Sequence, residues 1–293
     1  MIRDVLNNPV PVRFRKISGS VLKMVAVVTM LIDHIGAGLL QPMLLAGSHF
    51  FMPDWSGGVS FYYVTRYIGR MAFPIYVFLL VEGFAHSRNL KGYALRLLLF
   101  ALMSELPFDL ALIAEGQYAN TTDVAGILIS EYHRIATHQN VFFTLLLGLL
   151  MIILMDRCFL LAKRASDDAA RKRPEAAGKR SVFYYLLALL SSFVIFVVFY
   201  LLADLLHTDY SHHGIILAAV FYLMRKALLL SLSAGYLYFA EFVYLEVYSL
   251  PGFVLPLFYN GKRGFIRGGL KIAFYLFYPV HLVILYLVRC ALL

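Results

Sequence analysis

LKMVAVVTMLIDHIGAGLLQPMLLA, residues 22–46, is apolar over a length that suits a membrane-spanning helix, yet Asp33 and His34 stand side by side near its centre. About 20 mostly apolar residues cross the roughly 30 Å hydrocarbon layer of a bilayer. At about 1.5 Å of rise per residue, His34 lies roughly 16 Å beyond Lys23, halfway through that layer. An ionisable group at such depth costs several kcal/mol and survives where it faces a bundle interior or a watery cavity. Histidine, unlike aspartate, takes and gives a proton near neutral pH, so this pair is the first candidate for function.

The rest of the chain has the same character. Of its 293 residues 61% are hydrophobic and 15% charged, and a mean hydropathy of +0.76 excludes a water-soluble globule. Roughly nine segments read as spans of an all-α, polytopic membrane helix bundle, at 22–46, 60–85, 92–114, 141–162, 182–206, 213–225, 227–245, 247–259 and 272–292. The sixth and eighth are short enough to be half-helices or broken spans, which gives a range of about eight to ten. Residues 1–21 form a basic cytoplasmic tail, and 22–293 a single transmembrane domain interrupted by a polar, solvated cytoplasmic loop at 163–181.

The net charge of +9 follows from topology. With the N-terminus cytoplasmic and the C-terminus outside, every Lys and Arg except Arg66, Arg70, Arg134 and Arg289 falls on the cytoplasmic side. The cations are spread between spans, not gathered in a basic domain, so no nucleic-acid partner is expected. Arg3, Arg13, Arg15, Lys16 and Lys23 resemble the basic region of a signal peptide, but no small-residue cleavage pattern follows and the first span is expected to be retained. Cys158 and Cys290 fall in spans ending on opposite faces, so neither a disulfide nor a zinc site is expected.

Depth brings further residues together. His281, in FYLFYPVHL, lies roughly 15 Å beyond Lys271, level with His34, and Pro279 beside it frees a backbone carbonyl one turn below. Neighbouring side chains on a helix project about 100° apart, so Asp33 is poorly placed to orient His34. Glu82, Glu105, Asp109, Asp209 and His281 are the ionisable candidates for that partner on other helices. Arg66 with Arg70, and Glu105 with Asp109, are charge pairs each on one helix face near the outer side. They read either as an interhelical salt-bridge lattice or as a vestibule for a polar acceptor. YNGKRGFIRGG, residues 259–269, offers Lys262, Arg263 and Arg267 on a glycine-rich turn for phosphates, although positive-inside bias alone also places cations there. HTDYSHHG carries His207, Asp209, His212 and His213 in an outer connection, where surface histidines are the plainer reading and no metal is expected.

These strings, in this order, resemble the TraX family of integral membrane proteins associated with N-terminal acetylation of conjugative pilin. The resemblance runs through LKMVAVVTMLIDHIG, RYIGRMAFPIYVFLLVEGFAHSRN, RLLLFALMSELPFD, NVFFTLLLGLL, TDYSHHG, YNGKRG and FYLFYPVHL. The matching residues include Asp33, His34, Arg70, Pro74, Glu82, Glu105, Pro107, Asp109, Asn140, Asp209, Tyr210, Asn260, Lys262, Arg263, Tyr278 and His281. Two departures stand out: Ser211 where the family pattern has glycine, and a long stretch from Glu115 to Gln139. The family is similar to a wider group of transmembrane acyltransferases that draw on cytosolic acetyl-CoA.

The resemblance implies an acetyltransferase of the bacterial cytoplasmic membrane with acetyl-CoA as co-substrate. The acceptor would be an amine or hydroxyl reached from outside, on a protein N-terminus, an amino sugar or a lipid-linked group. His34 would be the general base, with Asp33 and His281 as its catalytic companions. His281, Asn260 or Tyr278 would polarise the thioester carbonyl. Asn260, Lys262, Arg263, Arg88 and Tyr278 would hold the donor, and Arg70, Glu82, Glu105, Asp109 and Asp209 the acceptor. Two rivals are a proton-coupled secondary transporter, with Asp33, His34, Glu82 and Glu105 as its relay, and a non-enzymatic assembly factor whose polar residues lock helices together.

Overall fold

A computed structural model describes residues 8–47, 55–114, 121–172 and 174–293. Arg3 of the basic tail and residues 115–120 of the long outer stretch lie outside them. The described residues are helical with no strand, only isolated bridges pairing Ile17 with Tyr259 and Gln139 with Thr208.

Helix α1, Gly19–Ile35, is capped by the Ser18 hydroxyl and carried on by a π-helical turn, Gly36–Leu40, and a last helical turn, Gln41–Leu45. Helices α2, Trp55–Gly69, and α3, Ala72–His86, follow one another with a break at Arg70 and Met71. Helix α4, Leu90–Phe108, also ends in a π-helical turn, Asp109–Ile113. Two short helices, α5 (Val124–Ser130) and α6 (Tyr132–Ala136), precede the long pair α7 (Val141–Lys172) and α8 (Ala177–Leu205). The shorter α9 (Ser211–Leu223), α10 (Leu228–Phe242) and α11 (Leu250–Val254, flanked by 3-10 turns) lead to α12, Leu270–Leu292.

Helices thus stand where hydropathy places apolar segments, but among the described residues only five stretches are long and apolar enough to cross a bilayer unaided: Gly19–Leu45, Ser60–His86, Val141–Lys172, Gly178–Leu205 and Leu270–Leu292. Helices α9 and α10 and the Glu246–Phe258 segment are shorter. The shortness of α9 has a structural origin. Asn140, which caps α7 by accepting the Phe142 amide, donates to the Ala101 carbonyl at 2.8 Å, so α7 begins level with the middle of α4. The Thr208–Asp209 turn pairs with Gln139 and starts α9 at the same level. Two connections therefore dip into the bundle, and α7 and α9 start level with the middle of α4.

The 163–181 segment is not a loop. Helix α7 runs to Lys172, Pro174–Ala176 forms one 3-10 turn and α8 begins at Ala177. Alanine-rich sequence with Arg164–Asp168 and Asp167–Arg171 at i,i+4 spacing favours helix, and Ala162 and Ala169 are buried. Helix α7 is roughly 48 Å long against a core of about 30 Å, so the hairpin continues past the apolar layer.

The core is built from α1, α3, α4, α7, α9 and α12. Leu22, Ala26, Ile75, Leu149, Ile152, Ile215, Leu217 and Leu282 are wholly enclosed, while most of α8 faces outward, as a lipid-facing helix does. Helix α2 reaches α1 through a glycine. A Cβ on Gly69 would lie 2.2 Å from Asp33 Cβ, so the helices can close on Asp33 only while residue 69 has no side chain. Gly69→Ala is expected to lower stability in detergent by about 1–3 kcal/mol. Gly178→Ala, with open space around it, should be neutral or slightly stabilising; parallel thermal unfolding of the two variants checks this.

Candidate functional site

The break between α2 and α3 places Arg66 and Arg70 against α1. Arg66 Nη1 donates to Asp33 Oδ2 at 2.7 Å and Arg70 Nη2 to Asp33 Oδ1 at 3.0 Å. Arg70 Nη1 lies 3.5 Å from Glu246 Oε1, which also accepts the Tyr210 hydroxyl at 3.1 Å. Glu246 is completely enclosed. The arginine pair is therefore answered by Asp33 and Glu246, not by Glu105 and Asp109 as a lattice between α3 and α4 would require.

Asp33 does not orient His34. His34 Nδ1 lies 2.7 Å from His281 Nε2, with the rings nearly parallel at 11° and 5.0 Å between centroids. His281 Nδ1 lies 2.7 Å from the Phe277 carbonyl, which only accepts, so that nitrogen carries the proton. In a neutral pair His281 Nε2 then has only a lone pair. His34 Nδ1 must donate to it, and His34 Nε2 keeps its lone pair as a base. The tautomer follows from one backbone carbonyl on α12, two hydrogen bonds away from His34. It also leaves His281 no N–H with which to polarise a carbonyl.

Tyr278 stands edge-on to both imidazoles, at 5.7 Å from His34 and 5.6 Å from His281. It lines the inner end of a cavity of about 100 Å³ whose walls include Val27, Met30, Leu80, Leu97 and Phe142 and whose other end is marked by Lys23, Tyr93 and Tyr275. Met30 is about one turn below His34, so the cavity stops beneath the histidine pair. At the far end Lys23 Nζ lies 5.8 Å from the centre of the Tyr275 ring. Arg263 and Lys271 lie within electrostatic range of Lys23, and Arg96 and Arg263 within range of Tyr275.

The TraX protein family matches residues 18–289, from the cap of α1 to the last turns of α12 and through both histidines. The chain belongs to the TraX family. It is also 31% identical over 281 residues to a Dichelobacter nodosus protein described as "Probable fimbrial assembly protein FimC, serogroup H1", covering 90% of this chain and 92% of that one. No solved structure matches it.

In this TraX chain the residues singled out from sequence separate into three places. Asp33, His34, Arg70, His281 and Tyr278 meet in the bundle centre, joined by Asp209, which lies within electrostatic range of Arg70 and Asp33. Glu105 borders this centre on α4: its Oε2 accepts from the Asn140 amide at 3.2 Å and, more closely, from Asn140 Nδ2, while its Oε1 is buried without a hydrogen-bond partner. Asp109 is buried one turn further on, its Oδ1 likewise unanswered. Glu82 is elsewhere, roughly 18 Å along the α2–α3 run from Arg70, with His86 Nδ1 3.8 Å from its carboxylate. It forms no continuous relay with Asp33.

The 259–269 turn wraps the start of α1. Its Lys262 and Arg263 carbonyls accept the Gly19 and Ser20 amides, and the Asn260 amide donates to Ile17. Asn260 therefore closes a loop and stands away from the histidines. Arg263 lies within electrostatic range of Lys23 at the cavity mouth, and Lys262, Arg263 and Arg88 are all exposed. The histidines of the HTDYSHHG connection have separate partners: His212 Nδ1 lies 2.6 Å from Asp204 and His213 Nδ1 2.7 Å from the Tyr238 hydroxyl, while Asp209 is within electrostatic range of Arg70. Among the described residues no group of His, Cys, Asp and Glu has the arrangement of a metal site. Ser211, at the departure from the family pattern, has φ +44°, the left-handed region that glycine occupies freely.

Sequence reasoning missed Glu246, Arg96 and Tyr275. Glu246 carried a signal, since it and Glu241 are acids in an otherwise apolar stretch. Arg96 and Tyr275 carried none, because cations and tyrosines are ordinary at the ends of spanning helices.

Proposed function

We propose that this protein is a membrane-embedded acetyltransferase that moves an acetyl group from acetyl-CoA to an amine or hydroxyl of a surface-fibre subunit or a related acceptor. One observation carries the reading: an imidazole whose hydrogen bonds leave Nε2 as a base stands about one turn beyond the inner end of a cavity with cations around its mouth. The cations at the mouth, Lys23, Arg96, Arg263 and Lys271, suit the phosphates of the donor, and the apolar walls suit its pantetheine arm. The fimbrial assembly relative supports a fibre subunit as acceptor.

In this reaction the acceptor nitrogen or oxygen attacks the thioester carbonyl carbon while His34 Nε2 takes its proton. The carbon–sulfur bond then breaks and the proton passes from His34 to the departing thiolate, giving CoA and the acetylated acceptor. His34 is cationic in between, when its Nδ1–H bond to His281 becomes charge-assisted and therefore stronger. In this reading Tyr278, which lines the inner end of the cavity, donates toward the carbonyl oxygen, and the acceptor enters from the opposite end, on the side of the Asn140 and Asp209 connections.

The test is transfer of radiolabelled acetyl from acetyl-CoA to a peptide bearing the fibre subunit's N-terminus, by purified protein in proteoliposomes. Label on the peptide with matching CoA release is expected. Proton-driven solute uptake without any need for acetyl-CoA would replace this reading with the transporter. Lys23→Ala with Arg263→Ala is expected to raise the half-saturating acetyl-CoA concentration about tenfold or more, as loss of two phosphate contacts should; unchanged donor affinity would remove the basic mouth from the site.

A further inference from the structure

The two π-helical turns and Arg289 form one unit. In the turn Gly36–Leu40 the Gln41 amide bonds back to the Gly36 carbonyl, and in Asp109–Ile113 the Ala114 amide bonds back to Asp109. Each turn holds one residue more than an α-helical turn, a feature concentrated at functional sites. Each also strands carbonyls. The α-helical partner of the Gly38 carbonyl is residue 42, a proline without an N–H. The partner of Leu110 would be Ala114, whose amide is already given to Asp109.

Arg289 answers these groups from a third helix. It is 1% exposed. Its Nη1 donates to Ala111 O at 2.9 Å and Gly38 O at 3.3 Å, and its Nη2 to Leu110 O at 2.6 Å, while Nε is buried without a hydrogen-bond partner. The two π turns touch there, for a Cβ on Gly38 would lie 3.1 Å from Ala111 O. No carboxylate of the described residues is ion-paired with this guanidinium. Its neighbours are carbonyls, with the Tyr286 ring 5.7 Å away.

A buried cation bonded only to carbonyls is a costly way to hold helices together, since apolar packing does so with no charge to desolvate. What it adds is register. Arg289 lies two turns beyond His281 on α12, Gly38 one turn beyond His34 on α1, and Leu110–Ala111 little more than one turn beyond Glu105 on α4. One planar fork thus fixes the rotation and height of the three helices that carry the histidine pair and its acidic neighbour.

We infer that Arg289 is a positioning residue that sets the His34–His281 hydrogen bond from about two turns away by clamping the carbonyls of two π turns. The kinetic half rests on the acetyltransferase reading; the geometric half does not. A base displaced by about 1 Å costs about 100-fold in rate, so Arg289→Lys, which keeps the charge but not the planar fork, should lower acetyl turnover about 10- to 100-fold. Half-saturation by acetyl-CoA should stay within about twofold, because the donor mouth lies at the other end.

The deciding readout needs no turnover. Histidine labelled with nitrogen-15, assigned by His34→Gln and His281→Gln, reports the tautomer of each ring in detergent. The wild type should show His34 protonated at Nδ1, and Arg289→Lys and Arg289→Leu should lose that signature to an averaged one. Gly38→Ala, which pries the carbonyls apart with the arginine intact, should do the same and decides the matter if the arginine variants do not fold. An unchanged signature in the folded variants, even with a lower Tm, overturns the inference and leaves Arg289 a structural anchor. A lost signature in variants of a protein whose wild type transfers no acetyl group sustains the clamp and defeats the acetyltransferase reading alone.

Discussion

His34→Ala is expected to reduce acetyl transfer about 10²- to 10⁴-fold, the usual contribution of a positioned general base, while the protein stays folded and still binds acetyl-CoA. The ring is 9% exposed, and its polar work is one hydrogen bond to His281. Truncation therefore removes the base without stranding a charge. The donor site should be spared, because His34 is not among the residues lining the cavity. The companion variant separates roles. If His281 acts through His34, His281→Ala should cost less than His34→Ala, and the double variant should cost about as much as His34→Ala alone, the non-additivity of residues working as a unit. Additive losses would mean that His281 has its own contact with the reacting groups.

Asp33→Ala should have the largest effect on stability, about 3–5 kcal/mol, because it removes the anion shared by two guanidinium groups and leaves them partly buried with Glu246 and Asp209 as the remaining acids in range. Asp33 side-chain exposure is 12%, and that of Arg66 and Arg70 is 21% and 15%, so solvent screens this cluster only slightly. Asp33→Asn keeps the shape and loses the charge, and should fall between Ala and wild type. The same two variants locate the cluster's role. Retained tautomers at His34 and His281 with lowered Tm would make Asp33 a helix-locking residue; altered tautomers would make it part of the machinery. Thermal unfolding in detergent with the histidine spectra gives both answers. A loss below about 1 kcal/mol for Asp33→Ala would mean that water reaches the arginines.

Depth along a helix made the centre of the site legible before any coordinates, since it set His34 and His281 at one height and orthogonal projection excluded Asp33 as the imidazole's partner. The partner of the arginines was not legible. Chain order favoured α3 against α4 through a short connection, whereas the glycine at position 69 lets α2 close on α1 instead. The 163–181 segment misled for a related reason: a polar, charged stretch reads as solvated whether it is coil or an exposed helix, and only the i,i+4 charge spacing told them apart. The phosphate-binding turn was half legible. Its glycines and cations drew attention to Arg263, but its amides and carbonyls are spent on the start of α1, and the remaining cations at the mouth come from α1, α4 and α12.

The central claim, that a thioester donor enters a cavity ending beneath a histidine base, is tested most directly by titrating the purified protein with acetyl-CoA and with CoA while following thermal unfolding. The account predicts saturable stabilisation by both, reaching about 2.7 kcal/mol at a hundred times the dissociation constant, and a right-shifted titration when Lys23 and Arg263 are both alanine. Folded protein that neither ligand stabilises at millimolar concentration would contradict it.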